Sequence, residues 1–157
     1  MQRGPTSMKI CLAFSPGGHY SEMQQIMDAF NDQDVFFVTI KTKSTKNLSN
    51  VHYLKDTLGN TRVHMIFNML FISFQSLKII FKERPKTIVS TGADVTIPLC
   101  YLGKIFGAKV IFIESVCRVN DLSISGKLIY PIANLFLVQW EKLTKKYYKA
   151  KFWGSVF

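Results

Sequence analysis

The sequence KICLAFSPGGH, residues 9–19, is followed at 21–25 by the helix-forming residues SEMQQ. It predicts a buried strand at Lys9–Ser15, a tight turn at Gly17 and Gly18, and a helix over Tyr20–Phe30. Two glycines let the backbone approach a ligand closely, and the first turn of the helix offers free N–H groups to an anion. The turn therefore indicates a phosphate or diphosphate site, while a plain strand-to-helix bend that needs positive φ angles is an equally open interpretation.

Two better-defined nucleotide motifs are absent from this region. The dinucleotide fingerprint G-x-G-x-x-G is missing, and the next predicted strand ends at Thr39, Ile40 and Lys41, without a carboxylate for a ribose. No Gly-Lys-Ser/Thr sequence follows the glycines, so a P-loop is excluded as well. Nothing in the sequence supports nucleotide hydrolysis.

Outward from this stretch, short β-rich runs alternate with longer helical runs, which is the pattern of a parallel sheet wrapped by helices. The further predicted strands are Val35–Ile40, Thr87–Ser90, Lys109–Glu114 and Leu135–Trp140, with Val51–Leu54 as an additional candidate. The further predicted helices are Arg62–Lys82, Val95–Phe106, Ser125–Asn134 and Glu141–Tyr148. We therefore expect a Rossmann-like, doubly wound, mostly parallel α/β sheet.

One domain accounts for the chain, because 157 residues of which 48% are hydrophobic can bury a substantial core. Residues 1–7 are expected to be a tag or a disordered extension, and residues 8–157 a single domain. The three cysteines are odd in number, widely spaced and set within apolar runs, which indicates neither a disulfide framework nor a zinc cluster. We expect no metal site.

A second glycine turn, Ser90-Thr91-Gly92-Ala93-Asp94, follows the strand that begins at Thr87. It adds N–H and hydroxyl donors at the carboxyl edge of the sheet, where ligands of open α/β sheets bind. The strand from Lys109 delivers Glu114 and Ser115 to the same edge, with Arg118 close behind.

Two residues at this edge could accept a proton. Histidine as a residue type has an unperturbed pKa near neutrality, and His19 sits on the predicted anion turn. Glu114 ends an apolar strand, where partial burial would raise its pKa and suit a base near a sugar hydroxyl. The structural alternatives, a capping or packing histidine and a carboxylate bonded to nearby backbone or to Arg118, carry about equal weight.

The formal charge is +10, from 20 Lys and Arg against 10 Asp and Glu, which suits an anionic partner. Nucleic acid, phosphate-bearing ligands and an acidic membrane surface all fit that charge. With 13% aromatic residues and a positive mean hydropathy, the chain is more apolar than a simple nucleic-acid binder tends to be. The composition therefore favours a membrane surface.

The predicted helix Arg62–Lys82 is the most apolar element, but polar residues interrupt it too often for a membrane span of roughly 20 residues. Its apolar arc on a helical wheel exceeds what one sheet face requires. A core helix buried on most sides and a helix that enters the bilayer interface are equally open interpretations. The second one assigns membrane contacts to Phe67, Leu70, Phe71, Phe74, Lys78 and Lys82.

Six blocks of sequence carry a resemblance to a known family. In chain order they are Gly17-Gly18-His19 with Glu22-Met23, Ser90-Thr91-Gly92-Ala93, Val110–Ser115, Arg118-Val119, Leu122–Lys127 and Val138-Gln139-Trp140. Together they closely resemble the asparagine-linked glycosylation subunit fourteen family. Its members recruit to the membrane the UDP-GlcNAc transferase that adds the second GlcNAc to dolichol-diphosphate-GlcNAc, and its prokaryotic relatives serve polysaccharide synthesis.

The resemblance implies a GT-B glycosyltransferase divided between two chains, of which this chain is the N-terminal, acceptor-side half. The chain is also similar to the peptidoglycan transferase that forms lipid II, in which one chain carries both halves. The family's glycine loop faces the diphosphate of a polyisoprenyl-linked sugar, and a separate donor-binding subunit binds most of the UDP-sugar. The implied acceptor-diphosphate residues are Gly17, Gly18, Ser90, Thr91 and Gly92, with Ser115 and Arg118 in support.

The implied chemistry is inverting and independent of metals and cofactors, with His19 or Glu114 as the base for the acceptor hydroxyl. Two departures from the family are visible. The chain lacks the N-terminal hydrophobic anchor of eukaryotic members, which implies peripheral attachment to the cytoplasmic face of the membrane. Ser15 and Pro16 stand where many members carry another glycine.

Two rival hypotheses follow from the same residues. In the first, the chain is a non-catalytic membrane scaffold for the donor-binding partner, and His19 and Glu114 are structural. In the second, weaker one it is a basic nucleic-acid-binding domain, whose binding would fall steeply with salt. We expect the glycosyltransferase subunit, with no nucleic-acid partner.

Overall fold

The computed structural model describes residues 8–56 and 62–157, with the side chains of 62–66 excepted. The predicted extension at 1–7 lies outside the described residues. The strands are β1 (Lys9–Ala13), β2 (Asp34–Ile40), β3 (Val51–Leu54), β4 (Thr87–Ser90), β5 (Lys109–Ile113), β6 (Leu135–Val138) and β7 (Ala150–Phe152). The helices are α1 (Gly18–Ile26), α2 (Arg62–Glu83), α3 (Ile97–Ile105), α4 (Ile124–Ile129) and α5 (Lys142–Lys146), with 3₁₀ turns at Met27–Phe30 and Asp94–Thr96.

The strands of the described chain form one parallel sheet in the order β3-β2-β1-β4-β5-β6-β7. From β1 the chain winds one way to β2 and β3, and from β4 it winds the other way to β5, β6 and β7. The direction therefore reverses between β1 and β4, and the two predicted glycine turns follow these two strands. Open α/β sheets bind ligands at such a reversal.

Residues on both faces of β1 are buried, which explains its unbroken apolar sequence. Cys11 and Ala13 belong to the larger core cluster, which also holds buried residues of α2, α3, α4 and α5. Ile10, Leu12 and Phe14 face a smaller cluster that includes Met23 of α1. A central strand of a parallel sheet that is covered on both sides requires this pattern, because neither of its faces meets solvent.

Helix ends follow local chemistry. α2 stops at Glu83, since Arg84 has φ 48° and Pro85 follows. α3 carries a proline in its first turn and ends just before Gly107, whose φ is 89°. The Ser123 hydroxyl caps α4 by accepting from the N–H of Gly126 at 2.9 Å.

Several predicted boundaries are wrong. α4 covers 124–129 instead of 125–134, since Pro131 cannot continue a helical hydrogen-bond ladder. The predicted helix 20–30 is divided into α1 and a 3₁₀ turn, and β5 and β6 end before Glu114 and Gln139. β7 has no counterpart among the strands predicted from periodicity, because its three residues are too few to show an alternation.

Candidate functional site

A cleft of about 850 Å³ opens at the carboxyl edge of the sheet, where the winding direction reverses. The turn after β1, the turn after β4, and the loop and helix after β5 surround it. The polar part of its lining is formed by Gly18, His19, Asp94, Ser115, Arg118, Ser123 and Ser125. The apolar part is formed by Met69, Ala93, Ile97, Cys117, Ile124 and Leu128. The cleft therefore offers both polar groups and apolar side chains to a ligand.

The two glycines of the first turn have different structural reasons. Gly17 has φ 87° and ψ −136°, a backbone conformation that residues with a Cβ rarely adopt. Gly18 has no positive φ, and a Cβ built on it would meet no heavy atom within 4 Å. The backbone bend explains why position 17 is a glycine. At position 18 the backbone does not require glycine, and the remaining reason is the open space that it leaves in the cleft. No side chain caps the N-terminus of α1.

The second turn supports the first one from beneath. Gly92 has φ 112°, and a Cβ there would lie 3.1 Å from Cε1 of His19. The Thr91 hydroxyl donates to the His19 carbonyl oxygen at 2.8 Å, and the Ser90 hydroxyl accepts from the Gly92 N–H at 3.1 Å. Ser90, Thr91 and Gly92 are all buried, and none lines the cleft. Their predicted contact with a diphosphate stays a prediction, whereas Thr91 bonds the His19 carbonyl oxygen and Gly92 leaves room for the His19 ring.

The His19 imidazole lies at the edge of the cleft with 30% of its side chain exposed. Its Nδ1 is buried and lies 3.6 Å from Oε2 of Glu22, which makes an ion pair only when the ring is protonated. Nε2 is therefore the ring nitrogen that a ligand in the cleft can reach.

Glu22 was not assigned a role from the sequence, although it belongs to the first of the six blocks. It is 2% exposed, and its Oε1 accepts from the Val116 N–H at 2.7 Å and from the Ser115 hydroxyl at 2.9 Å. Burial disfavours the charged form of Glu22, but the His19 imidazole, the Val116 N–H and the Ser115 hydroxyl outweigh it and hold the pKa of the carboxyl below its ordinary value. Its position three residues after His19 on a helix is the signal that could have identified it.

Glu114 is 1% exposed and lies beneath the cleft instead of lining it. Its Oε1 accepts from the Ser115 N–H at 3.0 Å, and its Oε2 accepts from the N–H and the hydroxyl of Ser123 at 2.9 and 3.1 Å. A Cβ on Gly126 would lie only 2.1 Å from Oε2. Glu114 thus connects β5 to the capped start of α4. Arg118, which the sequence offered as a partner for Glu114, lines the cleft.

A protein-family model described as "Oligosaccharide biosynthesis protein Alg14 like" matches residues 56–156. The chain belongs to this family. The UDP-N-acetylglucosamine transferase subunit ALG14 of Candida albicans is 29% identical over 97% of this chain and 84% of its own length. The Schizosaccharomyces pombe protein of the same name is 26% identical over 99% of this chain and 86% of its own. The human one is 32% identical over 58% of this chain and 45% of its own.

Solved structures with the same fold share little sequence with this Alg14-family chain. A UDP-N-acetylglucosamine 2-epimerase from Rickettsia bellii has a TM-score of 0.75 at 12% identity over 96% of this chain. The MurG of Acinetobacter baumannii has a TM-score of 0.68 at 14% identity over 83% of this chain. This chain spans 46% and 41% of those two chains, which is less than half of each. The predicted Rossmann-like fold, one half of a GT-B architecture, is confirmed.

The exposed face of α2 is unusually apolar for a water-facing surface. Phe67, Leu70, Phe71 and Phe74 are between 48% and 66% exposed, and we call this set the exposed arc. The opposite side of the same helix is buried through Ile72, Ser76, Ile79 and Ile80. The sequence left a core helix and an interfacial helix equally open, and α2 has both a core face and an exposed apolar face.

Two lysines accompany the exposed arc. The ammonium group of Lys78 lies 4.5 Å from the centre of the Phe74 ring, and the side chain of Lys82 is 72% exposed. No helix in residues 8–56 and 62–157 is long and apolar enough to cross a membrane. Over those same residues, no three side chains of His, Cys, Asp or Glu come together as a metal site requires.

Proposed function

We propose that this chain is the acceptor-binding and membrane-recruiting subunit of a two-chain inverting glycosyltransferase. It binds a polyisoprenyl-diphosphate-linked sugar, and a separate donor-binding subunit supplies the sugar from a UDP-sugar. UDP-GlcNAc is the donor we propose, because the family relatives are named as UDP-N-acetylglucosamine transferase subunits. The chain works at the cytoplasmic face of a membrane, to which it attaches peripherally.

One observation carries this proposal: the cleft at the glycine turns has polar and apolar lining residues, and one of the apolar ones, Met69, lies on the helix that carries the exposed arc. The free N–H groups at the start of α1, with Arg118 across the cleft, suit a diphosphate. Met69 is one of the apolar lining residues, and its neighbour Leu70 belongs to the exposed arc. An amphiphile with an anionic head and a long apolar chain matches both surfaces at once.

His19 is the base in the proposed reaction. Its Nε2 takes the proton from the acceptor sugar hydroxyl while the oxygen of that hydroxyl bonds to the anomeric carbon of the donor. The bond from that carbon to the diphosphate oxygen breaks, and UDP leaves with the electron pair. The anomeric configuration inverts, because the hydroxyl attacks from the face opposite the leaving group. Glu114, fully engaged beneath the cleft, holds the loop after β5 in place.

The membrane half of the proposal rests on α2. Four large apolar side chains within two helical turns, flanked by lysines, are typical of helices that lie in the interface of anionic bilayers. Each lysine near such a surface contributes about 1 kcal/mol. We therefore expect the acceptor cleft to lie beside the lipid in which the acceptor is dissolved.

The test combines the purified chain with its donor-binding partner and liposomes that carry a polyprenyl-diphosphate-linked GlcNAc. We expect no transfer from UDP-GlcNAc by this chain alone and transfer by the pair. His19→Ala should lower turnover by about 10²–10⁴-fold with assembly and liposome binding intact. His52→Ala is the matched control, since His52 pairs with Glu83 away from the cleft.

The non-catalytic scaffold predicts a different result from the same experiment. If the His19→Ala pair keeps full turnover, every chemical group comes from the partner, and this chain only binds and recruits. Robust transfer by this chain without a partner would refute the two-chain proposal itself.

A further inference from the structure

Two buried polar atoms on α1 face each other without a hydrogen-bond partner. They are Nδ1 of His19 and Oε2 of Glu22, which lie 3.6 Å apart and one helical turn along the chain. A buried polar atom without a hydrogen-bond partner lowers the stability of the folded protein. A shift of a few tenths of an ångström brings this pair to hydrogen-bond distance.

The other oxygen of Glu22 is already occupied. Oε1 accepts from the Val116 N–H, the Ser115 hydroxyl and, at 3.4 Å, from Nε2 of Gln139. Three donors from two other segments therefore fix the orientation of the carboxylate. They leave Oε2 for the imidazole and keep Glu22 ionised, as its lowered pKa indicates.

The imidazole is held from its other sides as well. Thr91 fixes the His19 carbonyl oxygen, and Gly92 lies against the ring edge, where a Cβ would come within 3.1 Å of Cε1 and 3.3 Å of Nδ1. A larger residue at position 92 would push the ring away from Glu22. The ring is thus confined to the orientation in which Nδ1 points inward and Nε2 lines the cleft.

We infer that Glu22 is a positioning residue for His19: it accepts the Nδ1 proton of the neutral imidazole, so the Nε2 lone pair faces the cleft. The hydrogen bond at one ring nitrogen decides which tautomer is present, and only the Nδ1–H tautomer leaves Nε2 able to accept a proton. When Nε2 takes a proton, the carboxylate also stabilises the charged ring. The inference rests on the proposed function only for the identity of the proton donor.

Gln139 extends this network to the C-terminal segment. Its Nε2 also donates to the Glu114 carbonyl oxygen at 3.0 Å, and its Oε1 accepts from the Ser155 hydroxyl at 3.1 Å and the Val156 N–H at 3.0 Å. The carboxylate that orients His19 is therefore fixed by the ends of β5 and β6 together with the residues after β7. Gln139 itself lies 117 positions from Glu22 along the chain.

Glu22→Gln tests the inference, because the three donors hold the amide oxygen at the Oε1 position and turn the amide nitrogen toward His19. The amide then donates to Nδ1 and forces the opposite tautomer. Long-range ¹H–¹⁵N correlation spectra of the full-length chain at about pH 9, where imidazoles are neutral, distinguish the two tautomers. We expect Nδ1–H in the wild-type protein and Nε2–H in Glu22→Gln. Ser115→Ala, which removes one donor to Oε1 and leaves Oε2 unchanged, should keep Nδ1–H.

An Nε2–H tautomer in the wild-type protein overturns the inference, and this measurement does not depend on whether the variant folds. An unchanged tautomer in a folded Glu22→Gln protein overturns it as well. In the reconstituted transfer assay, Glu22→Gln should lower kcat by about 100-fold or more and leave KM nearly unchanged. If the wild-type pair transfers no sugar, the proposed function fails, while the tautomer result still decides the role of Glu22.

Discussion

Replacing Glu114 by alanine separates a structural role for this carboxylate from a catalytic one. The substitution removes the acceptor of the Ser115 N–H, the Ser123 N–H and the Ser123 hydroxyl, which lie at 3.0, 2.9 and 3.1 Å. The Ser123 hydroxyl can turn to Ser125, whose Oγ is 3.2 Å away, but the two backbone N–H groups have no such choice. Each buried donor left unpaired costs about 1–3 kcal/mol.

The expected loss of unfolding free energy for Glu114→Ala is therefore about 2–5 kcal/mol, a large fraction of the roughly 5–15 kcal/mol typical of a domain. A water molecule that enters the vacated polar space would move the loss toward the lower value. Glu114→Gln keeps one acceptor oxygen but turns an amide N–H toward a backbone N–H, so about 1–3 kcal/mol is expected. Exposed Glu141 provides the control, and Glu141→Gln should stay within about 0.5 kcal/mol of wild type.

Urea unfolding monitored by tryptophan fluorescence and far-ultraviolet circular dichroism measures these differences, provided that the m-value is unchanged. The folded fraction of Glu114→Gln, assayed with the donor-binding partner at low temperature, should retain turnover. A Glu114→Ala protein as stable as wild type, combined with loss of turnover in the folded pair, would refute the structural role and make Glu114 the base.

Three further predictions concern other parts of the molecule. Gly18→Ala should change stability by no more than about 0.5 kcal/mol, since a Cβ there meets nothing within 4 Å, yet weaken binding of a polyprenyl diphosphate measured by liposome flotation. Lys78→Gln with Lys82→Gln should cost about 2 kcal/mol of binding to anionic vesicles at low salt, about 30-fold in partitioning, whereas Lys145→Gln with Lys149→Gln on and beside α5 should not. Hydrogen bonding from Lys9 at 2.5 Å, opposed by burial and aided by His52, lowers the pKa of Glu83 from its ordinary 4.5. The stability from this ionised carboxylate is present above pH 4.5 and is lost as the pH falls through the lowered value, so the wild-type advantage over Glu83→Gln in urea unfolding should shrink in acid.

Most strands and their order of appearance could be predicted from the sequence, because most of them are short apolar runs followed by a turn or loop. Gly17 and Gly92 mark two of these turns, and both have the positive φ that only glycine adopts easily. β7 could not be predicted in this way, since Ala150, Lys151 and Phe152 owe their strand conformation to pairing with β6.

The site was harder to predict than the fold, because side-chain direction depends on distant partners. Position alone made Glu114 a candidate base, but its direction depends on Gly126, whose missing Cβ leaves room for the carboxylate. For Glu22 the sequence supplied the position but not the surroundings of the carboxylate. Its helix placed it one turn after His19, yet its burial depends on donors that lie 93 to 117 residues away along the chain.

Under the proposed function, the choice of a lipid-linked acceptor over a soluble one follows from the placement of Met69. Met69 of α2 lines the cleft and the next residue, Leu70, is exposed, so one helix links the site to the exposed arc. A soluble sugar diphosphate would contact the polar lining residues and leave four large apolar side chains in water, a patch of a kind that monomeric soluble proteins seldom expose. An acceptor embedded in a bilayer covers that patch while its diphosphate reaches Gly18, and the acceptor hydroxyl is then presented to the one ring nitrogen of His19 that Glu22 leaves accessible.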